Sequence, residues 1–182
     1  YSPSNILKVK ANLPASKSIA NRALVIAALC GADRCLKNLS DCDDTQAVIS
    51  ALSSNDEIKN IGAAGTAMRF LTAYYAISSE SVVMTGTERM KNRPISILVD
   101  ALRSLGADIE YMEKEGYPPL KIDGKKLQGG ELHVKGDVSS QYLSALLMIA
   151  PYTAEGIKLV IEGDLVSRPY LQMTLFLMSD FG

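Results

Sequence analysis

The chain is poor in the residues from which several kinds of site are built. Its three cysteines, Cys30, Cys35 and Cys42, are odd in number and lack a Cys-x-x-Cys spacing, which argues against a disulfide framework or a zinc site and for reduced thiols. The one histidine, His133, falls at an alternating position of an expected strand, a placement that argues against catalysis by it. Its apolar runs break well before the roughly 20 residues that a membrane span requires, and no basic-then-apolar leader opens the sequence. Nineteen basic side chains against twenty acidic ones leave a formal net charge of −1, so bulk charge does not favour a nucleic-acid partner and any cationic site has to be local. These absences point to a soluble cytoplasmic protein without nucleic-acid or membrane partners. With 182 residues, 47% of them hydrophobic, there is material for one domain, 1–182. The chain begins at Tyr1 and stops directly after a helical pattern, and so reads as a truncated piece of something larger.

What is present is organised around Leu13–Cys30 (LPASKSIANRALVIAALC). A polar segment, Pro14–Ser18, leads into a block, Ala23–Cys30, that is apolar on every face, as a buried helix is. Lys17, Ser18 and Arg22 stand at its start, where free backbone N–H groups and the positive end of the helix dipole also lie. Together these favour a phosphate or carboxylate.

The same order of elements recurs. After the first helix come a turn at Gly31–Asp33, an expected strand at Arg34–Leu39 and an amphipathic helix, Thr45–Leu52, with Asp44 placed to cap it. A second copy runs from Gly62–Thr66 into an apolar helix, Ala67–Ile77, then strand Ser81–Thr85, a polar loop Gly86–Arg93 and helix Pro94–Leu105, started by its proline. A third runs from Gly136–Gln141 into Tyr142–Ala150, strand Ile157–Glu162, loop Gly163–Arg168 and helix Pro169–Phe181. The repeats cover about 13–60, 61–135 and 136–182. Extra strands are expected within Ala107–Lys135, whereas the first copy has only Ser53–Asn60 in that place. The implied fold is α/β, with buried helices packed on one another and sheets outside them. The three helix starts should then converge at one end.

Each start is rich in groups that suit anionic oxygens: Ser16 and Ser18; Gly62, Gly65 and Thr66; Ser139, Ser140 and Gln141. Glycine permits close backbone approach, and hydroxyls and amides supply neutral donors. The loops after the strands add Arg89, Lys91 and Arg93, and then Ser167, Arg168 and Tyr170. A guanidinium holds carboxylate or phosphate through two parallel bonds, which singles out Arg22, Arg69 and Arg93. Taken singly, a serine at a helix start is usually a cap; the threefold coincidence with basic neighbours is what favours a site. Asp41, Asp43 and Asp44 read as a capping loop rather than a metal site. Lys91 and Lys114 read as solvated charges, and the cysteines with Met148, Met173 and Met178 as core.

The strings ASKSIANRAL, GAAGTAMRFL, TGTERMKNRPISILVDALRSLGA, GDVSSQYLSALLMIAP and GDLVSRPY, in this order, resemble the N-terminal half of the 5-enolpyruvylshikimate-3-phosphate synthase family. The resemblance implies an inside-out α/β barrel of three repeated units, one of the two domains of the enolpyruvyl transferase fold. It also implies transfer of an enolpyruvyl group from phosphoenolpyruvate to the 5-hydroxyl of shikimate 3-phosphate, in aromatic amino-acid biosynthesis, without metal or organic cofactor. By the same resemblance Lys17 touches both substrates and is the catalytic candidate. Ser18 and Arg22 hold the shikimate moiety, with Tyr170 beside it, Ser139, Ser140 and Ser167 surround its phosphate, Gln141 lies between the substrates, and Gly65 and Arg93 meet the phosphoenolpyruvate phosphate. Arg69 matches an arginine of more structural role. Ala63 stands where the family usually has Asn, and Phe70 where many members have Pro. The family's acid/base carboxylates lie in a second half that would be this chain's partner domain, so the chain alone is expected to be inactive. The alternatives are the related transferase acting on UDP-N-acetylglucosamine, whose starting motif differs, and a stand-alone anion-binding module.

Overall fold

A helix with the sequence GTAMRFLTAYYAI has no polar face to give to water, and packing decides where it sits. This helix, α3 (Gly65–Ile77), lies at the centre of the structure, with Ala67, Met68, Phe70, Leu71, Ala73, Tyr75 and Ala76 all buried. The computed structural model describes residues 13–31 and 36–182. Two further apolar helices, α1 (Lys17–Leu29) and α6 (Ser140–Ile149), pack on α3 and on each other. Three amphipathic helices cover the seams between them. Helix α2 (Asp43–Ser53) lies on α1 and α3, α5 (Ser96–Ser104) on α3 and α6, and α7 (Arg168–Phe181) on α6 and α1. The alternation of inner and outer helices thus follows the chain through three rounds.

Strands flank this helical centre. β1 (Ile58–Asn60), β2 (Ser81–Thr85), β3 (Asp108–Tyr111) and β4 (Leu120–Asp123) form a sheet of order β1-β2-β4-β3, in which only β1 and β2 are parallel. Val82 and Met84 on β2, and Leu120 and Ile122 on β4, turn inward at the two-residue period of a half-buried strand. β5 (Gly130–Lys135) and β6 (Ile157–Glu162) make a separate parallel pair with His133 opposite Val160. Local chemistry sets several boundaries. Ser16 caps α1 by accepting the Ile19 N–H at 3.4 Å. At its other end Gly31, with φ of 57°, takes the left-handed conformation that closes a helix. Lys59 of β1 is buried, and its ammonium donates to the Ser54 carbonyl at 2.5 Å beside the Tyr75 ring.

Several expectations need correction. Residues 36–39 carry no strand, and Arg34 and Cys35 lie outside the described residues. Asp44 does not cap α2, which starts two residues earlier than expected, at Asp43, with Cys42 in the cap position. Helix α5 begins at Ser96 rather than Pro94, because the Ile95 N–H is drawn to the Gly116 carbonyl and the Pro94 carbonyl accepts from Tyr142. The loop Gly86–Arg93 contains one helical turn, α4 (Glu88–Lys91). Lys91 is not a free solvated charge, since it pairs with Glu113 at 2.8 Å and Glu88 at 3.6 Å. Lys114 sits 4.0 Å from the centre of the Tyr117 ring. Cys30 is exposed and Cys42 half-buried, so neither fills core.

Since α3 is packed on every side, truncation there should be felt in full. Leu71→Ala is expected to lower unfolding stability by about 3 kcal/mol, measured as a fall in the urea midpoint at unchanged slope.

Candidate functional site

The first turns of α1, α3 and α6 meet at one end of the helical centre, where they and α7 enclose an open cleft of about 360 Å³. Its lining is Lys17, Ser18 and Arg22 from α1, Thr66 from α3, Ser139, Ser140 and Gln141 at the start of α6, and Tyr170 from α7. Three helix N-termini pointing at one volume bring the positive ends of their dipoles to the same place. Ser139 caps α6 by accepting the Gln141 N–H at 3.3 Å, while the Gln141 side chain donates to the Thr66 hydroxyl at 3.2 Å and so ties α6 to α3 across the cleft. A larger cleft, about 610 Å³, lies between α5 and β5. Its charged lining is mixed, Asp100 and Glu131 with Lys135, whereas the charged lining of the smaller cleft, Lys17 and Arg22, is cationic.

Arg22 forms the floor. It is 2% exposed, yet among the described residues it makes no ion pair, and its hydrogen bonds go to neutral oxygens. Nε donates to the Thr174 hydroxyl of α7 at 2.7 Å, Nη2 to the Ser144 hydroxyl of α6 at 2.9 Å, and Nη1 to the Ser18 carbonyl at 2.9 Å. The guanidinium carbon stands 5.2 Å from the centre of the Phe70 ring and 5.9 Å from that of Tyr170, within range of attraction to the faces of both rings. Burial lowers its pKa from the ordinary value, and the nearby Tyr170 hydroxyl opposes that shift. A buried cation without an anion is costly. The arrangement lowers that cost with hydroxyls, a carbonyl and rings, and no carboxylate pairs with the guanidinium among the described residues.

A second cationic group adjoins the first. Gly65 lies so close to the Arg93 guanidinium that a Cβ at this position would overlap it. Arg69 is 6% exposed; it donates to the Gly65 carbonyl at 2.8 Å, lies over the Tyr142 ring, and has a buried Nε without a partner. Burial first, then the positive fields of Arg69 and Arg89, lower the Arg93 pKa, while Asp44 and Tyr142 act in the other direction. Asp44 brings a carboxylate to the same end of the helices. It lies 3.5 Å from the Lys17 ammonium and accepts the Thr66 N–H at 3.3 Å.

Of the residues singled out in the sequence, Lys17, Ser18, Arg22, Ser139, Ser140, Gln141 and Tyr170 thus line one cleft. Gly65 and Arg93 lie against each other beside Thr66 rather than in the lining, and Ser167 stands at the start of α7, one turn before Tyr170 and outside the lining. His133 is remote, bonded between Glu131 at 3.0 Å and Glu162 at 3.2 Å on the exposed face of β5 and β6. Sequence reasoning missed Ser144, Thr174 and Asn21. Asn21 is buried and its carbonyl accepts from Thr45 at 2.7 Å. A polar residue inside an apolar helix, as Ser144 is in YLSALLMIA, was the available signal.

A sequence profile of the family described as EPSP synthase (3-phosphoshikimate 1-carboxyvinyltransferase) matches residues 2–54 and 49–182. A Bacteroides fragilis (strain YCH46) protein named 3-phosphoshikimate 1-carboxyvinyltransferase is 59% identical over 180 residues, which take in 99% of this chain and 44% of that protein. A protein of the same name from Photobacterium damsela subsp. piscicida is 43% identical, over 99% of this chain and 48% of its own. The chain therefore spans less than half the length of the curated relatives it matches. A solved structure of EPSP synthase from Acinetobacter baumannii is alike in fold, with a TM-score of 0.68 at 21% identity, covering 80% of this chain and 38% of that one.

The hydroxyls under Arg22 have a measurable role. Thr174→Val removes the Nε acceptor at nearly constant volume and is expected to cost about 2 kcal/mol of stability, while Thr174→Ser keeps most of it. Chemical denaturation of the two variants side by side checks this.

Proposed function

The chain belongs to the EPSP synthase family, and on that footing we propose that it supplies the shikimate 3-phosphate site and part of the phosphoenolpyruvate site of a 3-phosphoshikimate 1-carboxyvinyltransferase. The observation that carries the reading is the convergence of three helix N-termini, Lys17, Arg22 and a set of hydroxyls on one cleft. In this reading the three rounds of inner and outer helix are the three repeats of one domain. Ser139, Ser140 and, from the start of α7, Ser167 surround the shikimate phosphate. Ser18, Arg22 and Tyr170 hold the ring and its carboxylate. Gln141, tied to Thr66, stands between the two substrates, and Gly65 with Arg93 receives the phosphate of phosphoenolpyruvate.

The reaction begins when a proton is added to the methylene carbon of phosphoenolpyruvate and the neighbouring carbon gains cationic character. The 5-hydroxyl of shikimate 3-phosphate adds there and gives up its proton; phosphate then leaves as the new methyl group loses a proton, and the vinyl ether forms. In this sequence Lys17 and Arg93 neutralise the departing phosphate, and Arg22 and the serines fix the acceptor. Such positioning and fixed charge are sizeable sources of rate. Burial first, and then its cationic neighbours, hold the Arg93 pKa below its ordinary value, and an arriving anion offsets the repulsion from those neighbours. The proton donor and acceptor come from the partner domain, whose closure excludes water. Among the described residues no helix is long and apolar enough to cross a membrane, and the proposed place of action is the cytoplasm.

Calorimetric titration with shikimate 3-phosphate, set against UDP-N-acetylglucosamine, tests the reading. The chain is expected to bind the first and not the second, and the Lys17→Ala, Ser140→Ala double variant is expected to lose binding by a hundredfold or more, on the order of two lost charge-assisted contacts. The chain alone should show no turnover. Preference for the nucleotide sugar, or undiminished binding by the double variant, overturns it.

A further inference from the structure

Asp44 is the second residue of α2, but its carboxylate serves other elements. One oxygen accepts the Thr66 N–H at the start of α3, at 3.3 Å, and the other lies 3.5 Å from the Lys17 ammonium at the start of α1. The side chain is 21% exposed against 48% for Lys17, so the carboxylate is the more enclosed of the pair. It belongs to the wall of a neighbouring cleft formed with Asn60–Ala64, and the cleft beside it holds Lys17 and Thr66 but no acidic lining residue. A helix-capping role explains the bond to Thr66. It does not explain why the charge is also turned onto a cation of the anion site, where a negative side chain opposes the arrival of an anion.

We propose that Asp44 is an internal counter-anion and a positioning residue: it holds Lys17 at the junction of the two substrate subsites, and it yields Lys17 and the α3 N-terminus to the phosphorylated enol substrate. The proposal rests on the reading given under Proposed function. Asp44 also acts on Arg93 against the effect of its cationic neighbours, so one carboxylate pairs with Lys17, bonds to the α3 start and lies within electrostatic reach of Arg93. When the substrate phosphate takes these partners, the ammonium already stands where both substrates meet. The carboxylate thereby weakens the binding of that substrate and gains orientation of Lys17 in return.

Asp44→Asn tests this, because an amide oxygen still accepts the Thr66 N–H while the charge is gone. In the full-length protein the KM for phosphoenolpyruvate is expected to fall about tenfold, the size of one opposing charge removed near the protein surface, and kcat is expected to fall as well. The dissociation constant for inorganic phosphate should tighten in parallel, and Asp44→Glu, which keeps the charge, should restore the weaker binding. A purely structural role would instead raise KM or leave it unchanged while lowering the melting temperature, and that result overturns the proposal. If Asp44→Asn does not fold, Asp44→Ser, which also removes the charge, carries the same expectation. A wild-type protein that neither binds phosphoenolpyruvate nor turns it over refutes the functional reading itself. Normal wild-type turnover with an unchanged or raised KM in the variants refutes the role of Asp44 alone.

Discussion

A buried guanidinium held by neutral groups ties the structure together. Arg22 leaves α1, bonds to Ser144 of α6 and Thr174 of α7, and lies over Phe70 of α3. Four helices therefore meet on one charged group, and their relative placement is also the geometry of the cleft. Apolar packing alone tolerates small shifts among helices. Directional bonds from a planar group restrict them, because the three donors point in fixed directions. The helical centre needs Arg22 bonded in order to bury it, and the same bonds fix the cationic floor of the cleft.

The same economy recurs around it. Apolar inner helices must be buried, and their uncovered N-termini cannot be, so these ends gather where a ligand can satisfy them. Gly65 allows the Arg93 guanidinium to lie against the backbone of α3, and Arg69 supports that turn by donating to the Gly65 carbonyl. Asp44 enters as the opposing charge, which keeps Lys17 and the α3 start partnered with each other through one carboxylate. The outer strands take little part in this chemistry. Their contribution is to cover the helices from the other side.

Much of this was legible from residue order. The all-round apolar character of GTAMRFLTAYYAI and YLSALLMIA placed α3 and α6 inside, and the recurrence of Ser, Gly and Thr at helix starts placed those starts together. Strands β2 and β6 fall at the expected residues, since Ser81–Thr85 and Ile157–Glu162 are bounded by turns. What could not be read depends on partners distant in sequence. Pro94 looks like a first helical residue, but Tyr142, 48 positions later, accounts for its carbonyl. Asp44 looks like a cap for its own helix, yet it serves one that begins more than 20 residues on. Phe70 departs from a family pattern, and its place against the Arg22 guanidinium follows from the meeting of α1 and α3. Local propensity carries no information about any of these.

The central claim is that one cleft, floored by Arg22 and walled by the starts of α1, α3 and α6, receives the phosphorylated acceptor. A crystal structure of the protein with shikimate 3-phosphate tests it most directly. The account predicts the ligand in that cleft, its phosphate among Ser139, Ser140 and Ser167 and its carboxylate toward Arg22, with the Arg22 bonds to Ser144 and Thr174 unchanged. Ligand density in the larger cleft between α5 and β5, or an Arg22 that leaves its hydroxyls to bind, would contradict it.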